Sequence, residues 1–135
     1  MQSLHPQPII IGDADKQRLL RVLDEHDPMA FESLDAELYR ANIIPQADVP
    51  PDVVTMNSEV VYEDIDTFVR RNVRLVYPKD ADPKHGRISV LAPIGSALLG
   101  LRIGQTIDWN VPTGRKRVRV VELHYQPEAC GDFHL

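Results

Sequence analysis

The stretch "APIGSALLGLRIGQTIDW", Ala92 to Trp109, carries glycines at 95, 100 and 104, a proline at 93 and an apolar run between them. It reads either as a loop that cradles a phosphate or as a strand, a helix and a turn packed around a small core. A P-loop ends in Gly-Lys-Ser/Thr, and a dinucleotide fingerprint spaces its glycines G-x-G-x-x-G; this stretch has neither pattern. Leu98, Leu99 and Leu101 also give a phosphate nothing to bond. Pro93 and Ile94 instead open a short helix that Gly100 closes as a C-cap. "TIDWNV" and "RKRVRVVELHYQ" follow as a hairpin around Pro112-Thr113-Gly114. A nucleotide-binding enzyme is thereby set aside, and no other cofactor motif replaces it.

The segments upstream continue the strand pattern. "VVTMNSEVVYED" from Val53, "DTFVRRNVRLVYP" from Asp66 and "GRISVLAP" from Gly86 are rich in β-branched and aromatic residues with partial alternation, and "KDADPKHG" at 79–86 is a polar loop. The C-terminal part therefore holds about five strands and one helix. Before it, "IIPQADVPPDVV" at 43–54 contains three prolines, and the residue before a proline is pushed away from helical backbone. Helix stops there.

N-terminal to that break the period is helical. Asp13 is a good N-cap, Asp15 adds an acid to the first turn, and "DKQRLLRVLDEHD" places Leu19, Leu20 and Leu23 on one side of a helix ending near Glu25. Asp27-Pro28 starts a second helix, with Phe31, Leu34, Leu38 and Ala41 at three- and four-residue spacing. Two such helices make a short antiparallel hairpin, each roughly 18 Å long at the α-helical rise. The expected organisation is a helical hairpin over 1–45, a Pro-rich linker over 46–52 and a strand-rich domain over 53–135. The fold class is α+β.

With 135 residues and 43% hydrophobic side chains, the chain suits one ordinary domain or a small domain with an appendage. No apolar run approaches the roughly 20 residues that span a bilayer, and residues 1–11 lack a basic then apolar secretory pattern, so the expected location is cytoplasmic and free of membrane. The single cysteine, Cys130, agrees with a reducing compartment. Net charge is −5, but residues 1–66 carry 4 Lys/Arg against 14 Asp/Glu while residues 67–135 carry 11 against 6. The chain is electrically bipartite, which fits either two surfaces with different tasks or an acidic helical face beside arginine-bearing strands.

Few residues invite chemistry. His124, Cys130 and His134 form no recognised zinc spacing, and Ser58, Ser89 and Ser96 sit in no nucleophile elbow. His5, His26 and His85 fall in loop-like segments. Asp24, Glu25 and Asp27 crowd the expected hairpin tip, where they form either an oxygen-ligand site for a divalent ion or a solvated turn, and composition favours the turn. Arg115, Lys116, Arg117 and Arg119 give the last hairpin a basic edge that could meet nucleic acid or an acidic protein, or guard an edge strand. The sparse aromatics argue against sequence-specific single-strand binding and place Trp109 in the core, and the acidic N-terminal half argues against direct nucleic-acid binding in general.

"APIGSALLGLRIGQTIDWNVPTGRKRVRVVELHYQ" resembles the C-terminal domain of the Gre transcript-cleavage factors, an FKBP-like fold. "VVTMNS" at 53–58, "LVYP" at 75–78 and "QPEACGD" at 126–132 are similar more particularly to the Rnk branch, the regulators of nucleoside diphosphate kinase. The resemblance implies an RNA polymerase-binding protein whose C-terminal domain docks at the rim of the secondary channel. It makes Pro93, Ile94, Gly95 and Ser96 the docking loop and points the hairpin inward. Ser96, Leu101 and Gln105 depart from the Gre pattern, which has basic residues at the first two positions and an acid at the third. In Gre factors, tip acids on a long coiled coil reach the polymerase magnesium. A hairpin of about 18 Å puts Asp24, Glu25 and Asp27 too far out, so the expectation is competition with Gre factors without cleavage. An effect on the kinase would then be indirect, although a direct one fits the branch name. An FKBP-like fold also invites a prolyl isomerase, which 6% aromatic residues argue against.

Overall fold

The computed structural model describes residues 9–25, 41–111 and 114–131. The chain opens with strand β1 (Ile10–Gly12), passes directly into helix α1 (Asp13–Glu25) and returns in strand β2 (Asn42–Ile44). Strands β1 and β2 pair in parallel, Ile10 with Asn42 and Gly12 with Ile44, an arrangement that requires the long connection between them. The sequence pattern did not anticipate this pair, because three residues are too few for a period to register. The second expected helix, with Phe31, Leu34 and Leu38, lies outside the described residues.

Helix α1 begins where Asp13 turns its carboxylate onto the backbone. Asp13 Oδ1 accepts the Ala14 N–H at 2.8 Å and the Gln46 N–H at 2.9 Å, so the cap also seizes the 3-10 turn Gln46–Asp48. The buried face of α1 carries Leu19 and Asp15, four residues apart, whereas Leu20 is exposed. The expected leucine side is thus corrected: Leu20 stands off the core, and a carboxylic acid stands in it.

Five strands form the main sheet in the order β5-β4-β3-β7-β6, with β3 Glu59–Asp64, β4 Arg70–Val76, β5 Arg87–Ser89, β6 Thr106–Val111 and β7 Gly114–Tyr125. Helices α2 (Pro93–Leu98) and α3 (Pro127–Cys130), the second beyond the one helix expected, and 3-10 turns at Pro78–Asp80 and Pro83–His85 in the polar loop complete the described elements. The α+β class, five strands and a short helix after Pro93 agree with expectation. Three of its details change. Strand β3 begins at Glu59 and not at Val53, because residues 53–58 are an almost wholly buried loop that turns at Asn57, where φ is 67°. Strand β5 joins β4 in parallel, Arg74 with Arg87 and Val76 with Ser89, so the sheet is antiparallel everywhere except at that edge. Strand β7 pairs with β3 on one side and β6 on the other, so its cations guard no edge.

One hydrophobic core unites the parts. Ile9, Ile11 and Leu19 from the N-terminal segment pack in the same cluster as Val54, Met56, Val60, Leu75, Leu98, Leu101 and Val120. Gly100, at φ 83°, approaches so closely that a Cβ there would lie 2.8 Å from the Ile9 Cβ. The strand that leads into the helical segment is therefore seated on the turn that closes α2.

Candidate functional site

The Pro93–Ser96 turn takes its shape from a glycine. A Cβ on Gly95 would strike the carbonyl oxygen of Ser89, so the first turn of α2 lies pressed against the end of β5. Pro93 occupies the first helical position, where its missing N–H costs nothing, and Ala92 provides no side-chain cap. Ser96 turns inward instead: its N–H and Oγ both bond the Ala92 carbonyl, at 2.9 and 3.2 Å, and the residue is buried. Ile94 is half-buried against the core. Of the four expected docking residues, Gly95 and Ser96 shape the turn from inside and Ile94 shows part of its surface. The Pro93 side chain lies outside the described residues. Within the opening stretch, glycine gives steric clearance at 95 and 100, while Gly104 supplies a left-handed turn at φ 93°.

Asp24 and Glu25 end α1, roughly 18 Å from its start, and their side chains and all of Asp27 lie outside the described residues. Cys130 is exposed on α3, and His124 bonds Glu122 at 2.8 Å and not the cysteine. His85 likewise bonds Asp82, at 2.6 Å. Among the described residues no three His, Cys, Asp or Glu side chains gather to hold a metal ion, and no helix is long and apolar enough to cross a membrane.

The basic strand is balanced from β3 and the turn after it. Glu63 accepts Arg70 Nε at 3.2 Å and Arg119 Nη2 at 3.1 Å, while Lys116 lies 3.6 Å from Asp64 and Arg117 3.1 Å from Asp66. These pairs follow from register, since Glu63 stands opposite both Arg70 and Arg119. The expected basic edge is a cross-strand charge ladder with acids along its middle. The side chains of Arg115 and Trp109 lie outside the described residues.

Reading from sequence missed a polar junction beneath α1. The Gln46 amide donates from Nε2 to Glu128 at 2.8 Å and accepts the Asp15 N–H at 3.0 Å. Glu128 takes the Thr55 hydroxyl at 2.6 Å on its other oxygen, and Thr55 is tied to Ser58 at 2.9 Å. Gln126 caps α3 through Ala129 N–H and donates to the carbonyls of Pro50 and Val53, both at 2.7 Å. Asp15 is buried here and accepts the Met56 N–H at 3.3 Å. Burial first, and then the Glu128 charge, push its pKa up to about 6, against the pull of Met56, Gln46 and Arg18. Burial, with the Asp15 charge, likewise raises the Tyr77 hydroxyl. Thr55, Met56 and Ser58 of "VVTMNS", Tyr77 of "LVYP" and Gln126 and Glu128 of "QPEACGD" come together here, although nothing in those segments alone shows that they meet.

Residues 49–125 match the family described as "Transcription elongation factor, GreA/GreB, C-term", and residues 7–44 match "Rnk N-terminus". The chain is 42% identical over 132 residues to the "Regulator of nucleoside diphosphate kinase" of Escherichia coli (strain K12), covering 94% of this chain and 96% of that one. It is 35% identical over 95 residues to the "Transcription elongation factor GreA" of Syntrophotalea carbinolica, covering 70% of this chain and 60% of that one. Among solved structures, the "Prokaryotic transcription elongation factor GreA/GreB from Nitrosomonas europaea" superposes with a TM-score of 0.71 at 44% identity, covering 87% of this chain and 99% of that one.

Proposed function

The chain belongs to the GreA/GreB transcription elongation factor family, with an Rnk N-terminus, and on that premise we propose that it regulates transcription by binding RNA polymerase at the secondary channel rim. Pro93, Ile94, Gly95 and Ser96 form the docking loop, and the segment carrying Asp24, Glu25 and Asp27 points inward. The observation that carries the reading is the close approach of Gly95 to Ser89, which packs a proline-led turn against the end of the sheet within the family-matched segment. A turn shaped in advance binds without first being ordered. The proposed units are residues 1–45 as the hairpin, 46–52 as its linker and 53–135 as the docking domain.

With α1 only about 18 Å long, the tip acids stop short of the polymerase magnesium, so the protein competes with Gre factors and stimulates no transcript cleavage. The protein acts without catalysing a reaction of its own. The test is binding to purified core polymerase by the parent chain, by Pro93→Glu and by Ile94→Lys, each with its unfolding midpoint measured. Displacement of a bound Gre factor without cleavage of a stalled transcript is expected; cleavage, or failure to displace, overturns the reading.

The 42% identity to a protein named for nucleoside diphosphate kinase favours a second reading, direct control of that kinase. Rates of the purified kinase with and without the protein decide it: unchanged rates make the link indirect.

A further inference from the structure

Between β3 and β4 the chain turns through residues 65–69, and Phe68 sits there at φ 62°. Glycine or asparagine adopts that backbone readily, whereas a bulky side chain is strained in it. The strain is held in place by a turn whose N–H groups are all bonded. Ile65 N–H bonds the Arg117 carbonyl, Asp66 and Thr67 N–H both reach Asp64 Oδ1, Phe68 N–H reaches the Asp64 carbonyl and Val69 N–H reaches Thr67 Oγ1. Yet Phe68 is 77% exposed, Val69 is 48% exposed, and neither belongs to the core cluster. Folding buries little of that ring, which leaves it open to a partner.

The charges beside the turn state what it would bind. The side chains of Arg70, Lys116, Arg117 and Arg119 are 46–57% exposed, while those of Glu63 and Asp64 are 12% and 18% exposed and that of Asp66, paired with Arg117, is 50% exposed. Four exposed cations against one exposed acid leave the outward charge predominantly cationic around an apolar point. A carboxylate-rimmed apolar recess on a protein complements both features. Duplex nucleic acid offers no recess, and single strands are bound by several stacking rings, of which the described surface exposes one.

The turn also sits where a second contact has mechanical value. Strand β4 runs from this turn to Val76, which pairs with Ser89 just before the docking loop, so the two points lie roughly 20 Å apart at opposite ends of the sheet. One contact leaves a docked domain free to pivot, and a second fixes the direction in which α1 points. We propose that the Phe68 turn, with its arginine and lysine collar, is a second anchoring point on RNA polymerase, inserted into an acidic-rimmed apolar recess. This rests on the polymerase reading above.

The test compares core polymerase binding by the parent protein, Phe68→Gly, Phe68→Tyr and Ile94→Lys. Phe68→Gly relieves the backbone strain, so its unfolding midpoint equals or exceeds the parent's while polymerase affinity falls about tenfold or more. Phe68→Tyr keeps the affinity. Equal affinity of Phe68→Gly and parent, with Ile94→Lys impaired, overturns this anchor and leaves the docking loop standing. Absence of binding by the parent overturns both. A lower midpoint in Phe68→Gly marks the ring as structural and overturns the proposal, as does loss of single-stranded RNA binding with polymerase affinity intact.

Discussion

The side-chain amide of Gln46 lies over Gly12 and donates a 2.8 Å hydrogen bond to Glu128, 82 residues further along the chain. Gly12 has no Cβ because the amide occupies that space, and the same amide accepts the Asp15 N–H. One polar group thus joins the start of α1, the Pro-rich turn and the C-terminal helix.

Gly12→Ala drives a methyl into the Gln46 amide and is expected to destabilise the fold by about 1–3 kcal/mol. Gln46→Ala strands the Asp15 N–H and one oxygen of Glu128 and costs a similar amount, about 1–3 kcal/mol. Because the first change expels the group that the second removes, the double variant should cost clearly less than the two singles together. Urea unfolding of the three variants checks this, and additive costs refute the contact.

Asp15 gives the stability a pH dependence of unusual sign. Its folded pKa, about 6, lies above the ordinary 3.8, so the folded state favours the protonated acid. Its contribution is greatest below pH 3.8, falls as pH rises to about 6, and is flat beyond; the full swing is about 3 kcal/mol. Asp64, held below the usual carboxylate range by the Asp66 and Thr67 N–H groups and by Lys116, acts in the opposite direction. The comparison is therefore between parent and Asp15→Asn, whose oxygen can still accept the Met56 N–H. Asp15→Asn should gain stability relative to the parent between pH 4 and 6 in denaturation midpoints. A constant difference across that range refutes the assignment.

Gly95→Ala tests whether the proposed docking loop is shaped from within. The new methyl meets the Ser89 carbonyl, which belongs to β5 and cannot swing aside as a side chain does, so α2 must lift. A loss of about 1–3 kcal/mol is expected, and polymerase binding should fall although no exposed group has changed. Wild-type affinity and stability would show that the turn tolerates the shift.

What the sequence made legible follows from length and period. Strands β3, β4, β6 and β7 run six to twelve residues with β-branched and aromatic side chains, enough for alternation and a turn signal to register. Strands β1 and β2, at three residues each, are defined by their partners and carry no period of their own, whereas β5, equally short, was legible within the longer β-branched run "GRISVLAP". The helix start at Pro93–Ser96 was legible because proline and glycine report backbone geometry directly. The junction was not: its hydrogen-bonded pairs among Asp15, Gln46, Thr55 and Glu128 stand up to 82 residues apart, and each looks like an ordinary surface residue until Gly12 makes room for the amide. Asp15 in particular occupies a first-turn position where an acid is expected on dipole grounds, which concealed its burial.

Glu63 decides how the C-terminal domain's positive charge is felt. It lies between Arg70 on β4 and Arg119 on β7, bonding each through a separate oxygen, with its side chain 12% exposed while the arginines reach solvent. Glu63→Gln keeps the shape but leaves two guanidinium groups facing a neutral amide. A destabilisation of about 1–3 kcal/mol is expected, smaller for Arg119→Ala because that arginine is half exposed and the glutamate keeps Arg70. The same change removes the anion that screens this face, so Glu63→Gln should bind duplex DNA at low salt more tightly than the parent, with affinity falling steeply as salt rises. Filter binding across a salt series measures it. If parent and variant bind DNA equally, the charge ladder is not what keeps a strand rich in arginine away from nucleic acid.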